Sequence, residues 1–247
     1  MRSSASVFFV AGASGYTGRG VLRALARRSL RFVAHVRPDS PRLAGMRGEV
    51  ADLGGELDTT EWQAEALTQT LTRLGPTHVV ALLGTTRARA RAARSRGSVE
   101  TYDTVDLGLT LLLLDAAVGC AAEPRFVYLS SVGVGPSATG AYYQARMEAE
   151  RAIMGSLLPW TILRPSFITG ADREESRMTE RTVAAVADAG LALASWVGFG
   201  RLRQRYSSMS GTELGEGIVR AALDPARVRQ ILHSEDLRVL AERAAVR

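Results

Sequence analysis

The sequence predicts an α/β protein built on a doubly wound parallel sheet, and three observations carry that expectation. Short β-branched apolar runs alternate with longer amphipathic ones along the chain. The first such run ends directly in a glycine triplet, Gly12, Gly15 and Gly18, which opens a helical stretch. The chain's 247 residues, 46% of them hydrophobic and 23% charged, suffice to bury the core such a sheet needs.

Taken in order, residues 7–11 read as the first strand and 18–28 as a helix. Residues 30–37 form the second strand, closed by Pro38-Asp39-Ser40-Pro41, and 50–53 are expected as a short third strand. The stretch 61–74 is helical and stops at Gly75-Pro76, a turn pair that cannot continue it. A fourth strand at 78–84, a long and unusually apolar helix at 99–122, a fifth strand at 125–132, a helix at 142–157 and a sixth strand at 160–164 follow. Beyond Gly170 the regularity fades. There 177–194 and 212–223 read as helices, 230–232 as a last short strand and 234–245 as a closing helix. The expected organisation is a core of residues 1–165 with a helical elaboration, 166–247, packed on the same domain over the strand ends.

Composition removes several chemistries. All 31 basic residues are Arg, and the chain has neither Lys nor Asn. A GC-rich genome accounts for that pattern, because both missing residues use codons that begin with AA. Schiff-base lysine, P-loop lysine and catalytic asparagine are thereby excluded. A single cysteine, Cys120, rules out an internal disulfide framework and a Cys-based zinc cluster, and fits a reducing compartment. His35, His78 and His233 stand far apart, so no metal site is expected.

The net charge of +6 brings no nucleic-acid partner with it. Arginines are spread along the chain among acidic residues, and no recognition motif accompanies them. The exception is the run Arg87, Arg89, Arg91, Arg94 and Arg96, read either as a solvated loop or as an attractor for an anionic substrate or the cofactor phosphates. The start of the chain runs at once into a strand, unlike a signal peptide. The longest apolar stretches, 105–117 and 183–200, are broken by Asp106, Asp115 and Asp188, short of the roughly 18 uncharged residues of a spanning helix. A cytoplasmic protein with no membrane span is expected, either a monomer or a homodimer.

The glycine loop has a physical role. One glycine makes the tight turn, another lets backbone approach a pyrophosphate, and the last lets helix and strand pack closely, with the phosphate on the helix N-terminus. Gly12, Ser14, Gly15, Tyr16, Thr17 and Gly18 are therefore candidates to hold a dinucleotide. About twenty residues on, an acidic residue would take the adenosine ribose hydroxyls. This chain has Arg37 there instead, and Arg19 follows the last loop glycine. A guanidinium holds a 2′-phosphate with two charge-assisted hydrogen bonds, so NADP(H) is preferred over NAD(H). The plainer alternative is a solvated Arg at a strand end. Asp52, with Leu53 beside it, is either an acceptor for the adenine amino group or a turn residue.

These residues resemble the atypical short-chain dehydrogenase/reductase superfamily of NAD(P)H-binding Rossmann proteins. The loop from Gly12 to Arg19 looks like that group's loop. Leu83-Gly84-Thr85-Thr86-Arg87 is similar to the strand-four signature of the Tat-interactive-protein oxidoreductases, and Val105-Asp106 to the pair in their following helix. The run 126–132, Tyr142-x-x-x-Arg146 with Glu148 and Glu150, and Leu163-Arg164-Pro165 extend the resemblance over roughly residues 7–170. It implies that Leu83, Gly84 and Thr85 line the cofactor and that Pro165 and Phe167 lie by the nicotinamide.

The same resemblance implies a catalytic set. Tyr142 would be the acid/base, and Ser131 would hydrogen-bond the substrate carbonyl. A cation one helical turn after Tyr142 would hold the nicotinamide ribose and favour the phenolate. Ser130 is the neighbouring choice for the hydroxyl, but strand alternation sends the two to opposite faces. The departure is Arg146 where the family has Lys; the charge is kept, but a planar fork is not an ammonium. The plain alternative is an amphipathic helix with an exposed Tyr142 and a salt-bridging Arg146, and Tyr143 is expected to pack.

Two functions are open to such a chain. One is an NADPH-dependent reductase of a small-molecule carbonyl. The other is a non-catalytic NADP(H)-binding regulatory or assembly protein. The stretch 183–200 serves either as an apolar lid over the substrate or as an oligomer contact.

Overall fold

The computed structural model describes residues 6–84, 101–166, 168–169 and 209–242. Seven parallel strands form the main sheet: β1 (Val7–Ala11), β2 (Arg31–His35), β3 (Glu56–Asp58), β4 (His78–Ala81), β5 (Arg125–Leu129), β6 (Trp160–Arg164) and β9 (Gln230–His233). Their order across the sheet is β3-β2-β1-β4-β5-β6-β9, so the winding reverses direction beside β1. That reversal is where a doubly wound sheet opens a crevice at its carboxyl edge. A separate parallel pair joins β7 (Ile168–Thr169) to β8 (Met209–Ser210).

Helices cover both faces of the sheet. Alternate residues of β1 explain why: Phe8 and Val10 enter one core, Phe9 and Ala11 the other, and all four are fully buried. The first core takes in Leu22 and Leu25 of α1 (Tyr16–Ala26), Ile218 of α6 (Gly211–Leu223) and Leu237 of α7 (Ser234–Glu242). The second takes in Leu67 and Leu71 of α3 (Ala64–Leu74), Leu113 of α4 (Leu109–Val118) and Ile153 of α5 (Ala141–Gly155). As the Gly75-Pro76 pair predicts, α3 ends at Gly75 in the left-handed conformation, φ +55°. Among the described residues, no helix is long and apolar enough to cross a membrane.

Three sequence expectations need correction. Residues 50–53 are not a strand: they fall at the end of α2 (Leu43–Asp52), where Val50 and Met46, one turn apart, make the helix's buried contacts. The third strand is instead Glu56–Asp58. The expected apolar helix at 99–122 starts as a π-helix, Tyr102–Gly108, capped by Thr101, and only then continues as α4. Finally, the C-terminal part does more than cover strand ends. β9 pairs with β6 in the sheet itself, Leu163 opposite Leu232, and α6 crosses α1 backbone to backbone. A Cβ on Gly20 would lie 2.1 Å from the Gly211 carbonyl oxygen, and one on Gly215 would lie 2.4 Å from the carbonyl carbon of Gly20.

The amino edge of the sheet carries a buried clasp. Arg125, the first residue of β5, donates from Nη1 to the carbonyls of Ala222 (2.7 Å) and Asp224 (2.8 Å). Its Nε (3.0 Å) and Nη2 (2.6 Å) both reach the Thr161 hydroxyl. Burial lowers the Arg125 pKa, with the Asp224 charge opposing. His78 stacks on Phe8 at 4.3 Å and also meets the Ala222 carbonyl, Nε2 to O 3.0 Å. Burial, and then the charge of Arg125, push the His78 pKa down to about 4.

Candidate dinucleotide and catalytic site

The glycine loop leaves β1 and enters α1 with Gly15 as its N-cap. Gly12 has φ +84°, and a Cβ there would sit 2.6 Å from the Leu82 carbonyl oxygen, so only glycine fits. A Cβ on Gly18 would stand 2.3 Å from the Gly12 carbonyl oxygen. Arg19 makes an intrahelical bond back to Gly15, 3.0 Å, and the amides of Thr17 and Gly18 precede it at the positive end of the helix. A cradle of bare backbone at a helix N-terminus matches the chemistry of a pyrophosphate.

Around that cradle stand several arginines. Arg37, just past β2, is half-buried, and its Nε lies 3.3 Å from Asp39. Arg19 pairs with Glu49 at 4.0 Å, a carboxylate it shares with Arg23. Arg42, the N-cap residue of α2, donates from Nη1 to the Ser14 carbonyl at 3.0 Å. Sequence reasoning missed Arg42; the signal for it was a second arginine just past the Pro38–Pro41 turn.

Three loop and strand-end expectations change here. The Tyr16 hydroxyl accepts from the Gly211 amide at 3.1 Å, and its ring packs where a Gly211 Cβ would go. The Tyr16 side chain thus takes part in the α1–α6 contact. Asp52 is the exposed last residue of α2 and Leu53 its C-cap, so neither ends a strand. The strand-end position belongs to Asp58, whose carboxylate accepts from the Thr60 amide (3.1 Å) and hydroxyl (2.9 Å). Beside it His35 is buried, which lowers its pKa; the Thr60 carbonyl and the Asp58 charge oppose the shift.

At the carboxyl ends of β4 and β5 lies the second half of the site. Tyr142 and Arg146 share one face of α5, and the guanidinium carbon sits 5.3 Å from the Tyr142 ring centre. The phenol ring is half-buried, edge-on to Tyr102 and Tyr143. Arg146 is buried, and both of its terminal nitrogens are spent on protein, while the buried Nε has no partner among the described residues. Nη2 reaches Asp106 (2.8 Å) and the Leu83 carbonyl (3.0 Å); Nη1 reaches the Tyr128 hydroxyl (3.3 Å) and the Leu129 carbonyl. Burial alone would lower the Arg146 pKa, but Tyr128, Tyr142 and Asp106 outweigh it and hold the pKa above the usual value. Tyr128 itself is pushed up to about 12, by burial first.

This arrangement explains Gly84. A Cβ there would come within 2.9 Å of Arg146 Nη2 and 3.4 Å of Asp106 Oδ1, so the missing side chain admits the ion pair. The expected ribose-holding cation is therefore a keystone joining β4, β5, the π-helix and α5. Asp106 had been legible only as half of a dipeptide; its partner stands forty residues on.

The two serines separate as alternation requires. Ser130 is buried and donates to Glu150, which Arg164 grips through Nε at 3.0 Å. Ser131 is half-buried, its hydroxyl 3.2 Å from the Val132 carbonyl. The Val132 amide reaches the Pro165 carbonyl at 2.9 Å, which brings the turn after β5 against the end of β6. Tyr143 packs on Gly133. Thr85, Phe167, the arginines from Arg87 to Arg96 and the expected helix and lid at 177–200 lie outside the described residues.

A parallel sheet that reverses beside β1, with a three-glycine loop at the reversal, defines a Rossmann-type dinucleotide-binding fold. Residues 12–191 match the model of the NAD(P)H-binding family, and the chain belongs to that family; its cofactor class is a nicotinamide dinucleotide. Protein FMP52, mitochondrial, of Coccidioides immitis (strain RS) is 29% identical over 166 residues, 67% of this chain and 62% of that protein. This chain thus spans about three fifths of that relative's length.

Among solved structures, UDP-glucose 4-epimerase from Brucella ovis, in complex with NAD, superposes with a TM-score of 0.64 at 17% identity, covering 92% of this chain and 77% of that one. ChuY, an anaerobillin reductase from Escherichia coli O157:H7, gives 0.59 at 16% identity, covering 92% and 95%. A nucleoside-diphosphate-sugar epimerase from Pseudomonas aeruginosa gives 0.60 at 19%, covering 93% and 72%. At these identities the likeness establishes the fold alone.

Proposed function

We propose that this protein is an NADP(H)-dependent oxidoreductase that reduces a carbonyl or related group of a small molecule. The observation that carries the reading is the pairing of the glycine cradle at α1 with Arg37 at the end of β2. An acidic residue there would repel a 2′-phosphate; a guanidinium attracts it. When bound, the nicotinamide supplies the hydride that goes to the carbonyl carbon. Tyr142 gives its phenolic proton to the carbonyl oxygen, and Ser131 donates a hydrogen bond that orients that oxygen. Arg146 acts on Tyr142 as a positioning residue, with its charge beside the ring.

The reductases and epimerases among the structural neighbours work with the same fold, which supports the class without naming a substrate. Parallel titration with NADPH and NADH, followed by cofactor fluorescence, tests the reading. Tight NADPH binding that weakens in Arg37→Ala supports it, and binding of neither nucleotide ends it.

A second reading has an observation of its own. Both terminal nitrogens of Arg146 already make two hydrogen bonds to protein groups, so only the buried Nε has a donor left over. That favours a cofactor-binding regulatory or assembly protein without turnover. A carbonyl-substrate screen separates the two: turnover that Tyr142→Phe abolishes while NADPH binding stays intact identifies the enzyme.

A further inference from the structure

We infer that Glu150 is a positioning residue that sets the spacing between Tyr142 and Ser131, by tying the helix of one to the strand end of the other. The inference rests on the reductase reading above, which gives those two side chains the proton and the orienting hydrogen bond. Tyr142, Arg146 and Glu150 stand four residues apart, so they share one stripe of α5, with Glu150 about 12 Å from Tyr142 along the axis. Arg146 fastens that stripe to the ends of β4 and β5 and to the π-helix. One anchor leaves a helix free to pivot. A second on the same stripe removes the pivot and fixes where the first turn stands.

Glu150 is that second anchor. It is buried, and both of its oxygens are engaged: Oε1 accepts from the Ser130 hydroxyl at 2.5 Å and from Arg164 Nε at 3.0 Å, and Oε2 accepts from Arg164 Nη2. Ser130 directly precedes Ser131, and its own amide donates to the Leu163 carbonyl of β6 at 2.8 Å. Arg164 is the last residue of β6 and stands opposite His233 of β9. One carboxylate therefore gathers α5, the end of β5 and the end of β6 at the edge that carries Ser131 and Tyr142. A buried ion pair adds little net stability over apolar packing. What this one supplies is geometry, because the planar fork of Arg164 holds the carboxylate in one orientation. Precision matters there, since a displacement of about 1 Å at a reacting group costs on the order of a hundredfold in rate.

The test uses the full chain, with its tyrosines isotope-labelled at Cζ for NMR, as wild type, Glu150→Gln, Ser130→Ala, Arg125→Met and Tyr142→Phe. The last assigns the Tyr142 resonance by its loss. Glu150→Gln trades an acceptor oxygen for a donor that Arg164 cannot use. It is expected to move the Tyr142 resonance, because the ring shifts against Tyr102 and Tyr143. Ser130→Ala keeps the ion pair and should move it less; it carries the test if Glu150→Gln does not fold. Arg125→Met loosens the opposite edge of the sheet and should leave the resonance in place. For a carbonyl found by the screen, kcat should fall about tenfold in Glu150→Gln with the KM for NADPH unchanged. An unmoved Tyr142 resonance in both Glu150→Gln and Ser130→Ala overturns the inference. So does an equal movement in Arg125→Met, which would make Glu150 a stabilising residue only. A moved resonance with kcat unchanged overturns it as well, since the spacing then has no bearing on the reaction. If Tyr142→Phe leaves turnover intact, the reductase reading falls instead, and the resonance still decides whether Glu150 places the ring.

Discussion

The two ends of the sheet each bury an arginine, and they balance its charge differently. Arg125 at the amino edge donates to two backbone carbonyls and a threonine hydroxyl, and burial depresses its pKa. Arg146 at the carboxyl edge has a carboxylate, Asp106, 2.8 Å away, and its pKa goes up. Neutral partners suffice where the arginine only clasps strands to a loop. Where the fold must hold a full charge beside the candidate acid, the π-helix brings in a counter-charge with no solvent exposure. The edge proposed to host chemistry is the one that carries a compensated ion pair.

The largest effect should come from breaking that pair. Arg146→Met leaves Asp106 buried without its cation and is expected to cost about 3–5 kcal/mol in urea unfolding. Arg146→Met with Asp106→Leu should regain most of that, because no orphaned charge remains. A single mutant no worse than its double partner would mean that the pair is held by carbonyls, not by charge.

At the amino edge, acid should do what mutation does at the other. The folded His78 pKa is about 4 and the unfolded value 6.5, so the folded state resists protonation between them. Its contribution is fully present above pH 6.5 and is lost as pH falls toward 4, about 3 kcal/mol over that window. His35, also lowered, acts in the same direction. The difference between wild type and His78→Gln, measured from pH 7 to 4, isolates His78, and parallel curves would sink the idea.

Arg125→Met strands acceptors but no charge, so about 2 kcal/mol is expected from unfolding at pH 7. It also removes a cation that helps depress His78, so the folded His78 pKa should rise toward 6.5 and the acid-induced loss of stability should shrink. An unchanged acid loss would assign the whole His78 shift to burial.

Legibility in the sequence followed how local each feature is. The strands at 7–11 and 160–164 were readable to the residue because each is a bounded apolar run. The third strand was not: Glu56-Leu57-Asp58 offers one apolar residue, while the Val50 region mimics a strand with what is one face of α2. The glycine loop was legible because its spacing carries its mechanism. The fate of Arg146 was not, since three of its partners, Leu83, Asp106 and Tyr128, lie between 18 and 63 residues away and only Tyr142 is one turn off. Treating Arg146 as a stand-in for lysine therefore missed its main work.

That substitution gives the smallest and most discriminating prediction. Arg146→Lys keeps the charge beside Asp106 but replaces the fork with a single ammonium that has three donors in place of five. It should cost about 1 kcal/mol, mostly from weakened bonds to the carbonyls of Leu83 and Leu129. Gly84 sharpens the test, because a Cβ there meets Arg146 Nη2 at 2.9 Å. Gly84→Ala should be costly in the wild type and nearly free in the lysine variant, where the fork is gone. A coupling energy near zero across that double-mutant cycle would show that Gly84 is glycine for some other reason. A strong coupling would make the arginine fork, rather than its charge, the feature around which this edge of the sheet is built.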